Sequence, residues 1–326
     1  MTRVNWGIIG CGDVTEVKSG PAFNKVKDSR LVAVMRRNGE KAKDYAHRHG
    51  VPTWYEDADR LINDPDVNAI YIATPPSSHE EYALAAFRAG KPVYVEKPMT
   101  LNSASARRMV DAVWEYDQKL VVAHYRRAQP FFNKIKELIE SGMIGKALLV
   151  RIELYKKPLS DTDMADPGRA WRVDPSVAGG GLFHDLSPHQ LDMLIFLFGE
   201  VEKATGLSAV QGKSYQADDI VAGNILFKNG TLFAGVWCFN VAAELEKDSC
   251  EIIGTDGKIS FSFFENKPII VTREGKTETI QFDPLPHVQQ PMIEKVVEYF
   301  LCKGLNPCSG ETGFKVMELI DRFTTT

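Results

Sequence analysis

The stretch VNWGIIGCGDV, which runs from Val4 to Val14, decides the fold. Its apolar run Val4–Ile9 ends directly in Gly10 and Gly12, and a helix can follow over residues 12–26. A buried strand, a glycine turn and a helix in this order are typical of a parallel sheet whose first turn holds a pyrophosphate on backbone N–H groups. The third glycine position of that pattern is Thr15, so the match is incomplete and a plain tight turn is the alternative.

The same pattern of apolar strands separated by helical segments continues after this stretch to about residue 124. Continuously apolar strands are buried on both faces of a sheet, and helical segments separate them here. The pattern therefore predicts a doubly wound, parallel α/β domain over residues 1–124. The other predicted strands are Leu31–Met35, Ala69–Ala73, Pro92–Val95 and Leu120–Ala123, and the helices include Ser78–Ala89 and Ser103–Tyr116.

The second half of the chain alternates in the manner of antiparallel strands. Asn229-Gly230 and Asp256-Gly257 are strong hairpin turns. We predict an α+β domain over residues 125–326, with an open, mainly antiparallel sheet. Its predicted helices cover residues 131–139, 185–198, 292–301 and 311–323, and the last two are expected to close this domain.

Length, charge and cysteine content restrict the class of protein. A chain of 326 residues exceeds the roughly 250–300 at which one core stops growing, so two domains are expected. A net charge of −4 disfavours nucleic acid and anionic membranes as partners, and no apolar run approaches the roughly 20 residues of a membrane span. Five cysteines without a CxxC pair predict neither a disulfide framework nor a zinc finger, and a cytoplasmic location is the simplest expectation.

The end of the second strand bears on the type of nucleotide. A site selective for NAD places an acidic residue there, whereas this chain has Arg36 and Arg37, whose guanidinium groups suit a 2′-phosphate. We therefore predict NADP(H) as the preferred cofactor, with NAD(H), or a solvated arginine pair, as the alternatives. The first group of predicted cofactor-binding residues is Gly10, Cys11, Gly12, Asp13, Val14, Arg36 and Arg37.

Two further strand ends carry candidate site residues. Tyr94-Val95-Glu96-Lys97-Pro98 places Lys97 beyond the carboxyl end of a strand, where open α/β sheets bind ligands, although a surface charge is the plainer interpretation. The Thr74-Pro75-Pro76 segment shapes a loop near the nucleotide ribose. The second group of predicted cofactor-binding residues comes from these two regions and consists of Thr74, Pro75, His79, Glu96 and Lys97.

Several candidate catalytic side chains lie close together in the segment GGGLFHDLSPHQLD, residues 179–192. Asp185, His189 and Asp192 are spaced by four and three residues, so they share one helix face, and a carboxylate beside an imidazole can orient it for proton transfer. The same three side chains could ligate a metal, or His189 could simply bond Asp192 in a core. We predict no metal, because the other expected site cation is Lys97 and the cysteines are dispersed.

These motifs resemble the glucose-fructose oxidoreductase, inositol dehydrogenase and MocA-like family, often written Gfo/Idh/MocA. The resemblance rests on GIIGCGDV, ATPP, AGKPVYVEKP, SGMIGKALLV and GGGLFHDLSPHQLD, and covers nearly the whole chain. It implies a Rossmann domain, an open-faced second domain and catalysis in the cleft between them. It places the catalytic roles on Lys97, Asp185 and His189, and it likens Trp171 and Arg172 to the element with which anhydrofructose-reductase-like members contact NADP.

The family implies hydride transfer between nicotinamide and a sugar, a polyol or a related carbonyl or hydroxyl compound. His189 would act as general base, oriented by Asp185, with Lys97 on the same oxygen. Asp192 would bind a neighbouring hydroxyl or support the helix, and these four residues form the predicted substrate-binding set. The alternatives are an NAD-assisted glycosidase of the same family and a non-catalytic nucleotide-binding sensor. The resemblance also implies a homodimer or homotetramer through the open sheet face, where residues 231–239 supply several large side chains.

Overall fold

The chain forms two compact units, which the computed structural model describes over residues 1–212 and 215–324. The first unit contains residues 1–129 and 285–317, and the second contains residues 130–284 and the chain from Glu318 onward. This division differs from the predicted domains, 1–124 and 125–326. The helix Gln290–Phe300, expected to close the second domain, packs in the first unit because its apolar face is buried there, with the rings of Phe300 and Trp6 5.5 Å apart.

A six-stranded parallel sheet forms the centre of the first unit, as predicted. The strand order is β3-β2-β1-β4-β5-β6, which is the order of a doubly wound dinucleotide-binding sheet. In such a sheet the order in which the chain adds successive strands reverses between β1 and β4, although the two strands stay parallel, so the turns that follow them lie next to each other. The strands are β1 (Val4–Ile9), β2 (Ser29–Met35), β3 (Thr53–Tyr55), β4 (Ala69–Ile72), β5 (Val93–Val95) and β6 (Leu120–Val122).

The helix predicted over residues 12–26 is wrong in length. The α-helix ends at Val17, and a 3₁₀ turn over Gly20–Asn24 replaces the rest. Pro21 lacks a backbone N–H and cannot continue an α-helical ladder, so the segment tightens instead. The α-helices of this unit up to residue 129 are α1 (Asp13–Val17), α2 (Gly39–His49), α3 (Ala58–Ile62), α4 (His79–Arg88) and α5 (Ser103–Glu115).

An eight-stranded sheet forms the second unit, and it is mainly antiparallel, as predicted. Its order is β14-β13-β12-β11-β7-β10-β9-β8, with β7 and β10 as a parallel pair. The strands are β7 (Ala147–Tyr155), β8 (Val201–Ala209), β9 (Ile220–Phe227), β10 (Leu232–Cys238), β11 (Lys247–Gly254), β12 (Gly257–Phe261), β13 (Ile269–Arg273) and β14 (Lys276–Ile280).

Helices cover one face of this sheet. The indole N–H of Trp237 on β10 donates to Gln190 Oε1 of the long helix at 2.6 Å, and the ring of Phe323 packs 6.2 Å from the same indole. The α-helices from residue 130 onward include α11, which lies in the first unit. They are α6 (Pro130–Glu140), α7 (Asp161–Ala165), α8 (Pro167–Ala170), α9 (Pro175–Ala178), α10 (Leu182–Phe198), α11 (Gln290–Phe300) and α12 (Gly310–Thr324).

On the other face of the sheet, β10 carries only small or aliphatic side chains, which corrects one expectation. The large residues of segment 231–239, Phe233, Trp237 and Phe239, are fully buried. Because side chains alternate along a strand, the outer positions of β10 are instead Leu232, Ala234, Val236 and Cys238. Over residues 1–212 and 215–324, none of the helices combines the length and apolar character that a bilayer crossing needs.

Candidate active site

Two glycines shape the turn after β1, and they do so for different reasons. Gly10 has φ of +95°, and a Cβ there would lie 2.8 Å from the Ala73 carbonyl carbon and from Thr74 Cγ2. The fold itself therefore requires Gly10. A Cβ on Gly12, in contrast, would meet no heavy atom of the described part of the chain within 4 Å beyond its two chain neighbours, and its backbone is extended. Gly12 therefore leaves open space at the position where a dinucleotide fold brings a pyrophosphate close to the backbone.

Thr15, the departure from the glycine pattern, is accommodated inside the turn. Its hydroxyl donates to the Gly12 carbonyl at 2.7 Å, and the side chain is fully buried. The Tyr45 hydroxyl donates to the Thr15 carbonyl at 2.8 Å, and burial raises the pKa of Tyr45 to about 12. A Cβ on Gly20 would lie 2.1 Å from the Thr15 carbonyl oxygen, so Gly20 permits the close packing here. The turn thus keeps its shape without a third glycine at position 15.

The two arginines after β2 are not equivalent. Arg36 is half-buried, and its Nη1 donates to the Cys11 carbonyl at 3.3 Å, which ties it back to the glycine turn. Arg37 is exposed. Burial raises the pKa of the Cys11 thiol to about 11, so this side chain stays neutral, and the Cys11 N–H donates to the Met35 carbonyl at 3.2 Å. Asp13 is exposed and Val14 half-buried at the start of α1.

Glu96, which precedes Lys97, lies in a buried polar network. Its Oε1 accepts hydrogen bonds from the Tyr71 hydroxyl and from Gln289 Nε2, both at 2.6 Å. Gln289 accepts in turn from the Tyr94 hydroxyl at 3.0 Å. The side chain of Glu96 is only 6% exposed, so this carboxyl group holds the end of β5 in place. Lys97 itself is half-buried and is joined to Pro98 by a cis peptide bond.

His79 joins two loops of the first unit. Its Nε2 lies 2.7 Å from the Thr74 carbonyl, and its Nδ1 lies 3.1 Å from the Pro98 carbonyl. The ring is fully buried, and this burial lowers the pKa of His79 to about 4 although the carbonyls oppose the shift. The ring fixes the half-buried Thr74 and Pro75 against the segment that follows Lys97. A contact of His79 with a cofactor stays a prediction.

In the second unit, a run of glycines leads into α10. A Cβ on Gly180 would lie 1.9 Å from Nδ1 of His184, so the glycine backbone rests directly on that imidazole. Burial lowers the pKa of His184 to about 4, against the opposing effect of Asp321. Sequence reasoning passed over His184, because its position in the motif carries no periodicity signal.

Helix α10 carries the predicted catalytic and substrate-binding residues of this unit. His189 is 5% exposed and Asp192 1% exposed, whereas Asp185 is half-buried. Arg172 Nε lies 3.6 Å from Asp185 Oδ2, and the Arg172 guanidinium stacks 4.8 Å from the ring centre of Trp171. The structure thus brings three predicted residues, Trp171, Arg172 and Asp185, into one group.

Two residues near His189 have no signal in the sequence. The ring of Phe264 packs edge-on against the His189 imidazole, with centroids 5.9 Å apart. Asp248 holds the backbone of Phe264 through a 2.6 Å hydrogen bond.

Lys97 belongs to the first unit, and Asp185, His189 and Asp192 belong to the second. Among residues 1–212 and 215–324, no group of three His, Cys, Asp or Glu side chains is arranged to hold a metal ion.

Comparison with known proteins agrees with both units. Residues 4–124 match the family model described as "Oxidoreductase family, NAD-binding Rossmann fold", and residues 132–260 match the "GFO/IDH/MocA C-terminal domain". The parallel sheet, its glycine turn and these matches define an enzyme of the NAD-binding oxidoreductase class. Within that class the chain belongs to the Gfo/Idh/MocA family, as its motifs predict.

Individual relatives cover almost the same length. "Oxidoreductase P35" of Formosa agariphila is 48% identical over 325 residues, which is 100% of this chain and 99% of the relative. The 1,5-anhydro-D-fructose reductase of Ensifer adhaerens is 28% identical over 86% of this chain and 83% of its own. A solved levoglucosan dehydrogenase, in complex with NADH and L-sorbose, matches with a TM-score of 0.84 at 25% identity, covering 99% of this chain and 96% of its own.

Proposed function

We propose that this chain is an NAD(P)-dependent dehydrogenase or reductase that acts on a hydroxyl or carbonyl carbon of a sugar, a polyol or a related small molecule. The bound nicotinamide supplies the hydride chemistry. The observation that carries the proposal is the burial of His189 and Asp192 on α10, a helix that also buries the polar side chains of His184, Ser187 and Gln190 among mostly apolar residues. Burying such groups costs free energy, and active sites are where proteins accept that cost.

The proposed roles follow from the chemistry of the side chains. Lys97 stabilises negative charge on the reacting oxygen, and its own charge disfavours protonation of an imidazole that shares this oxygen. His189 takes the hydroxyl proton in oxidation and returns it in reduction. Asp185 orients the imidazole, and Asp192 binds a neighbouring substrate hydroxyl. The names of the relatives, an anhydrofructose reductase and a levoglucosan dehydrogenase, support a sugar-like substrate.

The proposal extends to the nucleotide. The turn from Gly10 through Cys11 and Gly12 to Asp13 and Val14 would hold the pyrophosphate at the start of α1, and Arg36 and Arg37 would bind a 2′-phosphate. The open space at Gly12 and the exposed guanidinium of Arg37 fit this assignment. We therefore favour NADP(H), with Trp171 and Arg172 near the nicotinamide end. The solved relative is in complex with NADH, so the preference of this chain between NADP(H) and NAD(H) has to be measured.

Purified protein, NADP⁺ or NAD⁺ and a panel of polyols, aldoses and keto-sugars test the function through the absorbance of reduced nicotinamide. In the Lys97→Met and His189→Ala variants we expect kcat to fall at least about 10²-fold, because each removes a group from the reacting oxygen. Lys41→Met and His47→Ala, both at exposed positions of α2, are the controls. Tryptophan fluorescence reports whether the variants still bind nucleotide. A His189→Ala enzyme that binds nucleotide and turns over at the wild-type rate would refute the acid–base role.

We also propose that copies of the chain associate through the open sheet face, as a homodimer or homotetramer. The outer positions of β10 are small or apolar, and Leu232 is 45% exposed. Val236→Glu would place a charge in the middle of this face and lower the mass measured by light scattering. Leu305→Glu is the control, since Leu305 is 91% exposed in the first unit. An unchanged mass in Val236→Glu contradicts this interface.

A further inference from the structure

A buried acid on β11 organises a turn that the proposed chemistry does not use. Asp248 is 4% exposed. Its Oδ1 accepts from the Phe263 N–H at 3.1 Å, and its Oδ2 accepts from the N–H groups of Phe264 and Glu265 at 2.6 and 3.1 Å. Three backbone donors on one carboxyl group fix the path of the main chain, and the buried Phe263 N–H would be left unsatisfied without the carboxylate.

The fixed turn decides which way two adjacent phenylalanines point. The ring of Phe263 packs into the aromatic core, 5.5 Å from Phe132 and 5.3 Å from Phe261. The ring of Phe264 packs instead against the imidazole of His189, with centroids 5.9 Å apart and planes at 68°. An edge-on contact of this kind is the favoured geometry for two aromatic rings.

We propose that Asp248 and Phe264 are positioning residues for His189. Asp248 fixes the turn, the turn presents Phe264, and Phe264 limits rotation of the imidazole, so that the ring nitrogen stays aimed at the reacting oxygen. The inference rests on the proposed function in one respect, namely that His189 transfers a proton. Orientation matters there because a displacement of about 1 Å in a reacting group can cost roughly 10²-fold in rate.

The chain offers matched variants for each link. Phe264→Leu removes the ring but keeps an apolar side chain, and Phe264→Tyr restores a ring. Phe263→Leu is the control for loss of a neighbouring ring that does not pack on His189. Asp248→Asn keeps the size of the side chain but removes one of its two acceptor oxygens. Ser262→Ala is its control, since it removes a 2.7 Å hydrogen bond to the Asp248 carbonyl and leaves the carboxyl group in place.

The first readout is the NMR signal of the His189 ring, which is assigned by its loss in His189→Ala. Because an adjacent aromatic ring shifts the resonances of protons near it, we expect the His189 ring signals to move in Phe264→Leu and in Asp248→Asn. They should stay near wild-type positions in Phe263→Leu and Ser262→Ala. The second readout is steady-state kinetics, in which Phe264→Leu and Asp248→Asn should lower kcat about tenfold or more, with the KM for nucleotide within about twofold of wild type. Phe264→Tyr should recover most of kcat.

His189 signals that stay at their wild-type positions in folded Asp248→Asn would overturn the role of Asp248. Signals that move equally in Ser262→Ala would also overturn it, since general loosening would then explain the effect. If Asp248→Asn does not fold, the comparison of Phe264→Leu with Phe263→Leu still decides the link from Phe264 to His189. The NMR readout needs no substrate, so the positioning can hold even if the proposed oxidoreductase activity fails, and the two failures are distinguishable.

Discussion

The hydroxyl of Tyr71 donates a 2.6 Å hydrogen bond to Oε1 of Glu96, the residue immediately before Lys97. Tyr71 lies on β4 and Glu96 follows β5, so this bond connects the ends of two neighbouring strands of the parallel sheet. Gln289 donates to the same oxygen from a distant part of the sequence. The position of Lys97 therefore depends on a network that is completed by residues far along the chain.

Tyr71→Phe should destabilise the first unit without changing its fold. The substitution removes the hydroxyl and leaves the buried Glu96 oxygen with one donor fewer, which we expect to cost about 1 to 3 kcal/mol of unfolding free energy. Chemical denaturation of the two proteins measures the difference. Tyr116→Phe, at a half-exposed tyrosine beyond α5, is the control and should stay within about 0.5 kcal/mol. Equal stabilities of wild type and Tyr71→Phe would show that the bond contributes nothing.

The sequence predicts this region only in part. The strand end at Val95 and the proposed role of Lys97 rest on an apolar run and a short motif, both of which are local. Glu96 carries no such signal for its buried role, because its partner Gln289 is 193 residues away. Only the packing of residues 285–317 within the first unit brings the two together.

Other elements differ from prediction for equally physical reasons. The three-residue strand Thr53–Tyr55 is too short to give a periodic pattern, although it forms the edge of the parallel sheet. The helix after Gly12 ends at Val17, and Gly20 and Pro21 begin a 3₁₀ turn in place of its predicted continuation. A count of apolar residues takes no account of this glycine and proline. In the second unit, Asp248 lies in an alternating strand like any other, and its three backbone partners depend on how the turn after β12 closes.

The preference for NADP(H) should depend on Arg37 more than on any other single arginine. Arg37 is exposed and Arg36 is tied to the Cys11 carbonyl, so Arg37 is freer to reach a 2′-phosphate. Arg37→Ala should raise the KM for NADPH about tenfold or more while changing the KM for NADH little, because a hydrogen bond between charged groups is lost with NADPH alone. Arg30→Ala, at the opposite end of β2, is the control. Equal effects of Arg37→Ala on both nucleotides would remove the preference assigned here.

The two glycines after β1 should separate folding from nucleotide binding. Gly10→Ala forces a side chain into left-handed backbone and against Ala73, so it should lower the thermal midpoint by several degrees, corresponding to more than about 1 kcal/mol. Beyond the two chain neighbours, no heavy atom of residues 1–212 and 215–324 lies within 4 Å of the methyl group that Gly12→Ala adds, so this variant should unfold like wild type. Its methyl group nevertheless fills the space next to the turn, so nucleotide affinity measured by fluorescence should fall. Wild-type affinity in Gly12→Ala would place the pyrophosphate elsewhere.

His184 should make the protein sensitive to acid. Its pKa is about 4 in the folded chain against an ordinary value of 6.5, so the unfolded chain binds the proton first as the pH falls. Above pH 6.5 the imidazole is neutral in both states, and its contribution to the free energy of unfolding is complete. As the pH falls from 6.5 to 4, this contribution decreases by about 3 kcal/mol, and below pH 4 it changes no further. His79 acts in the same direction, because burial lowers its pKa to about 4 as well.

Replacing His184 by glutamine isolates its share of this effect. His184→Gln loses the ring that packs against Gly180, so it should be less stable than wild type at pH 7. Its unfolding free energy should nevertheless fall less between pH 7 and 4.5, since only His79 remains of the two imidazoles, His79 and His184, whose pKa burial lowers to about 4. His47→Gln, at an exposed position of α2, should follow the wild-type profile. Denaturant unfolding across this pH range makes the comparison, and parallel profiles for wild type and His184→Gln would show that the imidazole of His184 is not the group that resists protonation.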